Sequence, residues 1–311
     1  MSKIAPLHRN VKLFCAVTSD NHIDHKHPMP AVPMWYLTQS LKDAEKSLRP
    51  MDAYITVGDT TSRGSERNWD LAEKCFKKAK PAKHIFLTVG NHDLWSDTGF
   101  EKAKENYLAR SNRICGTNHT ETWFSHTVNG YKLIFLGNTQ DAGCEAHLGE
   151  RQLRWLNEEL DAAAGSPAFV FCHQSLNGRH GLPRTWDKEE SSTDPMEGGI
   201  GEESDAVAEI LKRHKNVFYF SGHSHMGLCG EARKAAEGYA SFETEDGVHL
   251  VNLPSLACGN HHGDDRSMGI GVLIEVYDDR VIVRPRNFAK RVMNKKVLIE
   301  NGKPYLEAPI V

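Results

Sequence analysis

The sequence predicts an α/β fold, and three observations carry that expectation. Short apolar runs rich in Val, Ile, Phe and Tyr alternate with segments of helical period through the first third of the chain. Two-residue turn signals between alternating segments interrupt this pattern in the middle and near the end. Five of the apolar runs also stop at polar clusters of the types that bind metals.

In chain order, residues 11–17 read as the first strand, followed by a His- and Pro-rich loop. Apolar residues at 34, 37, 41, 44 and 48 place a helix over 34–48, closed by Pro50. Strands follow at 53–57 and 84–89, with helices at 66–79 and 100–110. Asn129-Gly130, between ETWFSHTV and YKLIFLG, predicts a hairpin. Residues 149–161 form an amphipathic helical pattern and 168–172 a strand. Residues 174–204 hold five Gly, two Pro and little periodicity, so a long loop is expected to start directly after His173 and overhang whatever His173 serves. A helix at 205–214 and a strand at 217–220 come next, then a β-rich tail with turns at Asp246-Gly247 and Asp278-Asp279. No repeat or low-complexity linker divides the chain. The expectation is one domain over 1–311 with a loop insertion at about 174–204.

Composition narrows the partners. Hydrophobic residues at 39% and charged residues at 25% describe an ordinary globular chain of 311 residues. A net charge of −3 offers no broad basic surface for nucleic acid. No apolar run approaches the roughly 18 residues of a spanning helix, and MSKIAPLHRN lacks the apolar stretch of a secretory signal, so a cytoplasmic protein without a membrane partner is expected. The seven cysteines are odd in number and form no C-x-x-C, which points to neither a disulfide framework nor a thiolate zinc site. Of the 17 histidines, His8, His84, His119, His126, His147, His214 and His249 show no ligand-like spacing and read as surface or structural residues.

The five polar endings carry the chemistry. LFCAV runs into Asp20-Asn21-His22, AYITV into Gly58-Asp59, HIFLTV into Gly90-Asn91-His92-Asp93, AFVFC into His173, and VFYF into Gly222-His223-Ser224-His225. Carboxyl ends of strands form the ligand-binding edge of an open α/β sheet. If the five strands share a sheet, two Asp, one Asn and four His meet there, a donor set for a pair of hard-to-borderline divalent metals. Each cluster alone is weak, since Gly-Asp commonly marks a turn; the ordered set is strong. Rival motifs fail. Met226 stands where a nucleophile elbow needs its second Gly, GDTTSRGS lacks the Gly-Lys-Ser/Thr of a P-loop, and HExxH is absent. The hairpins at 129–130 and 246–247 do not suit a barrel of eight βα repeats.

Taken in order, D-x-H, G-D, G-N-H-D, H and G-H-x-H over residues 20–225 resemble the blocks of the calcineurin-like metallophosphoesterases. The resemblance implies a four-layer α-β-β-α sandwich of two mixed sheets with a β-rich C-terminal section. It also implies two divalent transition-metal ions at the sheet edge, with Asp20, His22 and His225 on one and Asn91, His173 and His223 on the other. Asp59 would bridge them with its two oxygens, a bridging hydroxide would attack, and His92, oriented by Asp93, would serve as general acid. Ser62 occupies the position where purple acid phosphatases carry a metal-binding Tyr, which argues for Mn, Fe, Zn or Co and against a Tyr-ligated ferric centre. Two divalent ions against the two carboxylates Asp20 and Asp59 leave the cluster positive, and a small anionic phosphoester is the expected substrate.

LIFLGNTQDAGCEAHLGERQLRWLNEEL is further similar to the class III cyclic nucleotide phosphodiesterase and glycerophosphodiesterase branch, with Gly149, Leu153, Trp155 and Leu156 at the patterned positions. This implies a phosphodiester such as a cyclic nucleotide or glycerophosphodiester. Monoester or nucleotide hydrolysis and a non-catalytic scaffold stay open as alternatives. The branch usually has Pro shortly after its single His, where this chain has His173-Gln174-Ser175. His25, His27, Arg179, His180, Arg184, His261 and His262 could reach substrate, but none is assigned that role.

Overall fold

Strand β1 (Leu13–Thr18) shows how a continuous apolar run becomes a central strand. All six residues are buried. Leu13, Cys15 and Val17 face a core between two sheets, while Phe14 and Ala16 face a separate core under helices. Side chains alternate with period two, so a strand covered on both faces must be apolar throughout. The computed structural model describes residues 10–181, 198–231, 234–293 and 306–311.

The first sheet contains β1, β2 (Ala53–Val57) and β3 (His84–Thr88), paired in parallel. Helices α1 (Ala31–Glu45), α2 (Glu66–Phe76) and α4 (Phe100–Cys115) cover its outer face through Leu37, Leu41, Trp69, Ala72 and Tyr107. Helix α3 is the short segment Asn91–Leu94. The second sheet opens with the hairpin β4 (Phe124–Val128) and β5 (Tyr131–Phe135). Asn129 and Gly130 both adopt positive φ, 51° and 88°, as the tight turn requires. Helix α5 (Gly149–Ala162), strand β6 (Ala168–Phe171), helix α6 (Ser204–Leu211) and strand β7 (Val217–Ser221) extend that sheet by parallel crossovers.

The β-rich tail serves both sheets. Strands β8 (Phe242–Glu245) and β9 (Val248–Asn252) finish the second sheet, whose order is β4-β5-β6-β7-β9-β8. The short helix α7 (Lys234–Glu237) precedes them. Strands β10 (Ile270–Val276) and β11 (Arg280–Asn287) return to the first sheet, where β10 pairs antiparallel with β1 from Leu13↔Val276 to Val17↔Val272. Strands β12 (Val292–Met293) and β13 (Leu306–Pro309) both pair with β11. A buried bidentate pair, Arg286 Nε and Nη2 to Asp43 at 2.8 and 2.9 Å, ties β11 to α1.

The result is the four-layer α-β-β-α sandwich of two mixed sheets. One expectation needs correction, because the five strands with polar endings do not share a sheet. Three lie in the first sheet and two, β6 and β7, in the second. Phe169, Phe171, Phe218 and Phe220 press against Cys15, Val17, Ile55 and Val57 between the sheets. The five strand ends therefore meet across the sandwich. Helix boundaries also move. Helix α1 starts and ends earlier than the periodicity placed it, and α4 runs on to a left-handed cap at Gly116, φ 70°. Of the long loop after His173, residues 182–197 lie outside the described residues. Its two ends are cinched by Ile200 N–H to the Ser175 carbonyl at 3.0 Å and by the Asn177 side chain on Gly201.

Candidate metal centre

Where the strands stop, the backbone turns sharply. Asp20, His22, Asp59, His223 and His225 all take left-handed φ, between 46° and 68°. Non-glycine residues rarely adopt this conformation, and a cluster of them marks a place where geometry is held against local preference. The turns are zipped together: His22 N–H donates to the Asp59 carbonyl at 2.9 Å and Asp20 N–H to the Gly58 carbonyl at 3.2 Å. Two motif glycines exist for close approach. A Cβ on Gly58 would stand 2.2 Å from His173 Nδ1, and one on Gly222 1.9 Å from Ser19 Oγ.

These turns bring six of the seven candidate ligands into one cluster, and Asn91 directly precedes His92, whose N–H donates to Asp59. His22 Nε2 and His225 Nε2 are 3.0 Å apart, and Asp20 Oδ1 is 3.1 Å from His225 Nε2 and 3.7 Å from His22 Nε2. Asp59 Oδ2 is 3.1 Å from His173 Nε2 and 3.5 Å from His22 Nε2. Asp59, His173 and His223 offer ligand atoms all within 4.8 Å of one another. Asp20, Asp59, Asn91, His173 and His223 form a buried floor, while His92 and His225 are half-buried at the lip.

The donors fit cations. Both polar atoms of the Asn91 amide are buried without a hydrogen-bond partner, although Asn91 is only 2% exposed. Such orphans are costly unless something binds them. His173 Nδ1 is fixed 2.9 Å from the Val57 carbonyl, which accepts its proton and turns the Nε2 lone pair into the cluster. A backbone carbonyl behind the ring is the usual support of a metal-ligating His. Two ring nitrogens at 3.0 Å need a proton or a cation between them, since two lone pairs would repel.

Electrostatics say the same. Burial alone would raise Asp20, but His225, His173 and hydrogen bonds from His22 and His225 hold its carboxyl well below the usual range. Asp59 is likewise depressed: burial opposes, and His173, His92 and His22 outweigh it. Burial would lower His173, yet Asp59 and Asp20 push it up to about 9. Against the same burial, Asp20 and a hydrogen bond to Cys258 push His225 up to about 10. Two carboxylates in a dry pocket draw positive charge onto whatever can carry it.

One role expectation changes and one stands as it was. Asp59, expected to bridge, faces both halves of the cluster: Oδ2 lies 3.5 Å from His22 Nε2 and 3.1 Å from His173 Nε2, while Oδ1 also accepts the His92 N–H at 2.9 Å. Orientation of His92 was assigned to Asp93, but His92 Nδ1 lies 2.9 Å from the Ser62 carbonyl. Asp93 instead accepts from Thr60 N, Thr61 N, Thr61 Oγ1 and Gly90 N, bracing the turn after β2 against the turn after β3. Burial first, then the Asp59 charge, pushes Asp93 up to about 7 despite these donors.

Several residues escaped the sequence reading. The Trp95 ring centroid lies 4.1 Å from that of His92, and the His22 ring lies 4.7 Å from it. Asn252, at the end of β9, braces the Gly222–Ser224 turn through Gly222 O and Ser224 Oγ. Cys258 offers its sulfur within 4.8 Å of the His22 and His225 nitrogens. Only the position of Trp95, three residues beyond His92, carried a local hint. A cleft of about 260 Å³ is lined by Asp24, His25, Arg63, Ser65, Ser96 and Lys102, none of them a candidate ligand. Arg179 pairs with Glu245, His180 is buried against the Ala240 carbonyl, and Arg184 lies outside the described residues.

A two-sheet sandwich with a His/Asp cluster where the strand ends of both sheets meet is an α/β fold with a candidate metal site. Residues 15–227, more than half of the chain, match the family model of the calcineurin-like phosphoesterases, and the chain belongs to that family. The family hydrolyses phosphoester bonds and generally uses divalent metal ions. No curated protein matches the chain. Among solved structures it is similar to purple acid phosphatase PPD1 from yellow lupin, with a TM-score of 0.62 at 12% identity, covering 91% of this chain and 52% of that one. It is also similar to PhoD, with a TM-score of 0.55 at 12% identity, covering 88% and 65%. The chain thus spans about half to two-thirds of those structures' length, and at this identity the likeness concerns the fold. No helix among the described residues is long and apolar enough to cross a membrane.

Proposed function

We propose that this chain is a metal-dependent phosphodiesterase acting on a small anionic ester, such as a cyclic nucleotide or a glycerophosphodiester. In this reading Asp20, His22 and His225 would hold one divalent cation and Asn91, His173 and His223 a second, with Asp59 shared by both. The observation that carries it is the 3.0 Å approach of two ring nitrogens, His22 and His225 Nε2, beside the buried carboxylates Asp20 and Asp59. When bound, such a cation pair supplies Lewis-acid polarisation of the phosphoryl oxygens and acidifies a water.

The chain's own residues do the rest. Ser62 O fixes His92 Nδ1, and His22 and Trp95 confine the ring, so Nε2 is the atom left to give a proton to the departing oxygen. Asp93 keeps the Asp59 and His92 turns in register. The similarity of residues 133–160 to the cyclic nucleotide and glycerophosphodiester branch supports a diester over a monoester.

The test compares bis(p-nitrophenyl) phosphate with p-nitrophenyl phosphate on chain reconstituted with Mn, Fe, Zn or Co. A higher kcat/KM on the diester is expected. A higher value on the monoester would overturn the diester assignment, and stoichiometric metal without turnover of either would point to a scaffold.

A further inference from the structure

We propose that Cys258 is a further ligand of the cation held by Asp20, His22 and His225, which makes this half of the centre thiophilic. The proposal rests on the metal-binding reading above and adds to it a residue outside the five motif blocks.

The Cys258 sulfur, His22 and His225 offer ligand atoms within 4.8 Å of one another. Cys258 is exposed at the lip, on the open side of a cluster whose floor is buried. Its loop is built against the ligand turns. Ser255 Oγ donates to the Asp20 carbonyl at 3.0 Å, and Ala257 N–H donates to the same carbonyl at 3.3 Å. At the other end His261 N–H donates to the His225 carbonyl at 2.7 Å. Between them Cys258 N–H is held by Ser255 Oγ at 2.9 Å, and Asn260 Oδ1 accepts from Ser255 N–H at 2.7 Å. The thiol is therefore carried by a loop pinned to the backbones of two candidate ligands, one on either side. An independent sign that the cluster binds a cation is the 3.0 Å approach of His22 Nε2 and His225 Nε2, which needs a proton or a cation between two ring lone pairs.

Coordination would release the thiol proton to solvent and place a thiolate beside two imidazoles and a carboxylate. Thiolate ligands favour Zn, Co and Fe over Mg and Mn. Ser62, by contrast, spends its hydroxyl on the His22 carbonyl at 3.0 Å, so the sulfur is the added donor on this side. An exposed thiolate ligand would also tie cation retention to the redox state of Cys258.

The experiment loads the full chain and its Cys258→Ser variant with cobalt(II) alone. Metal content, the near-ultraviolet sulfur-to-cobalt absorption, and the alkylation rate of Cys258 mapped by peptide are then read. The native chain should show the absorption and the variant should lose it while still binding cobalt, and cobalt should slow alkylation of Cys258. Superimposable spectra from two cobalt-loaded proteins, or alkylation indifferent to cobalt, would overturn the proposal and leave the metal centre standing. If the native chain binds no cobalt, the centre itself falls. Should the variant fail to fold, protection of Cys258 in the native chain decides.

Discussion

Replacing Asp59 by Asn keeps shape and removes charge, and the geometry dictates what must be lost. The two oxygens of Asp59 have separate duties, Oδ1 accepting the His92 N–H at 2.9 Å and Oδ2 facing His173 and His22. An Asn amide has one oxygen. If it serves His92, the NH2 points at the cation positions. If it serves the cations, the NH2 meets the His92 N–H, donor against donor. The second orientation is the cheaper, forfeiting a hydrogen bond to a charged acceptor worth about 1.5–3 kcal/mol. At about 1.4 kcal/mol per decade, cation affinity should fall roughly 10- to 100-fold, before counting the weaker attraction of a neutral oxygen. Metal content after dialysis against graded free zinc, with kcat/KM on bis(p-nitrophenyl) phosphate, measures both consequences. A variant that binds zinc as tightly as the native chain and turns over at the native rate would show that Asp59 does not sit between cations.

His92→Ala should keep the native metal content and slow esters with poor leaving groups by about 10²- to 10⁴-fold. A loss independent of leaving-group pKa would remove the general-acid assignment. Gly222→Ala would place a Cβ 2.4 Å from Asp20 Oδ2 and should lower metal content on the Asp20 side; an unchanged metal content would contradict the close-packing argument. Asp43→Ala strands a buried Arg286 and should cost about 3–5 kcal/mol in urea unfolding, with most of it regained in Asp43→Leu/Arg286→Met. If the double variant is no more stable than the single one, the loss came from packing.

What the sequence determined by itself is local. Strands buried on both faces must be continuously apolar, so β1, β2, β3, β6 and β7 were readable together with the polar residues at their ends. Asn129-Gly130 and Asp246-Gly247 announced their turns because few residue pairs tolerate two successive positive φ values. The same uniform burial hid which sheet each strand joins, since an apolar run carries no label for its partner. Tertiary structure decided that β6 and β7 face β1 and β2 across the core, that one oxygen of Asp59 looks inward, and that Ser62 rather than Asp93 steers His92. It also decided that Cys258, 33 residues beyond the last motif, comes back beside His22. Those facts depend on contacts between residues far apart in the chain, which exist only once the two sheets have closed on each other.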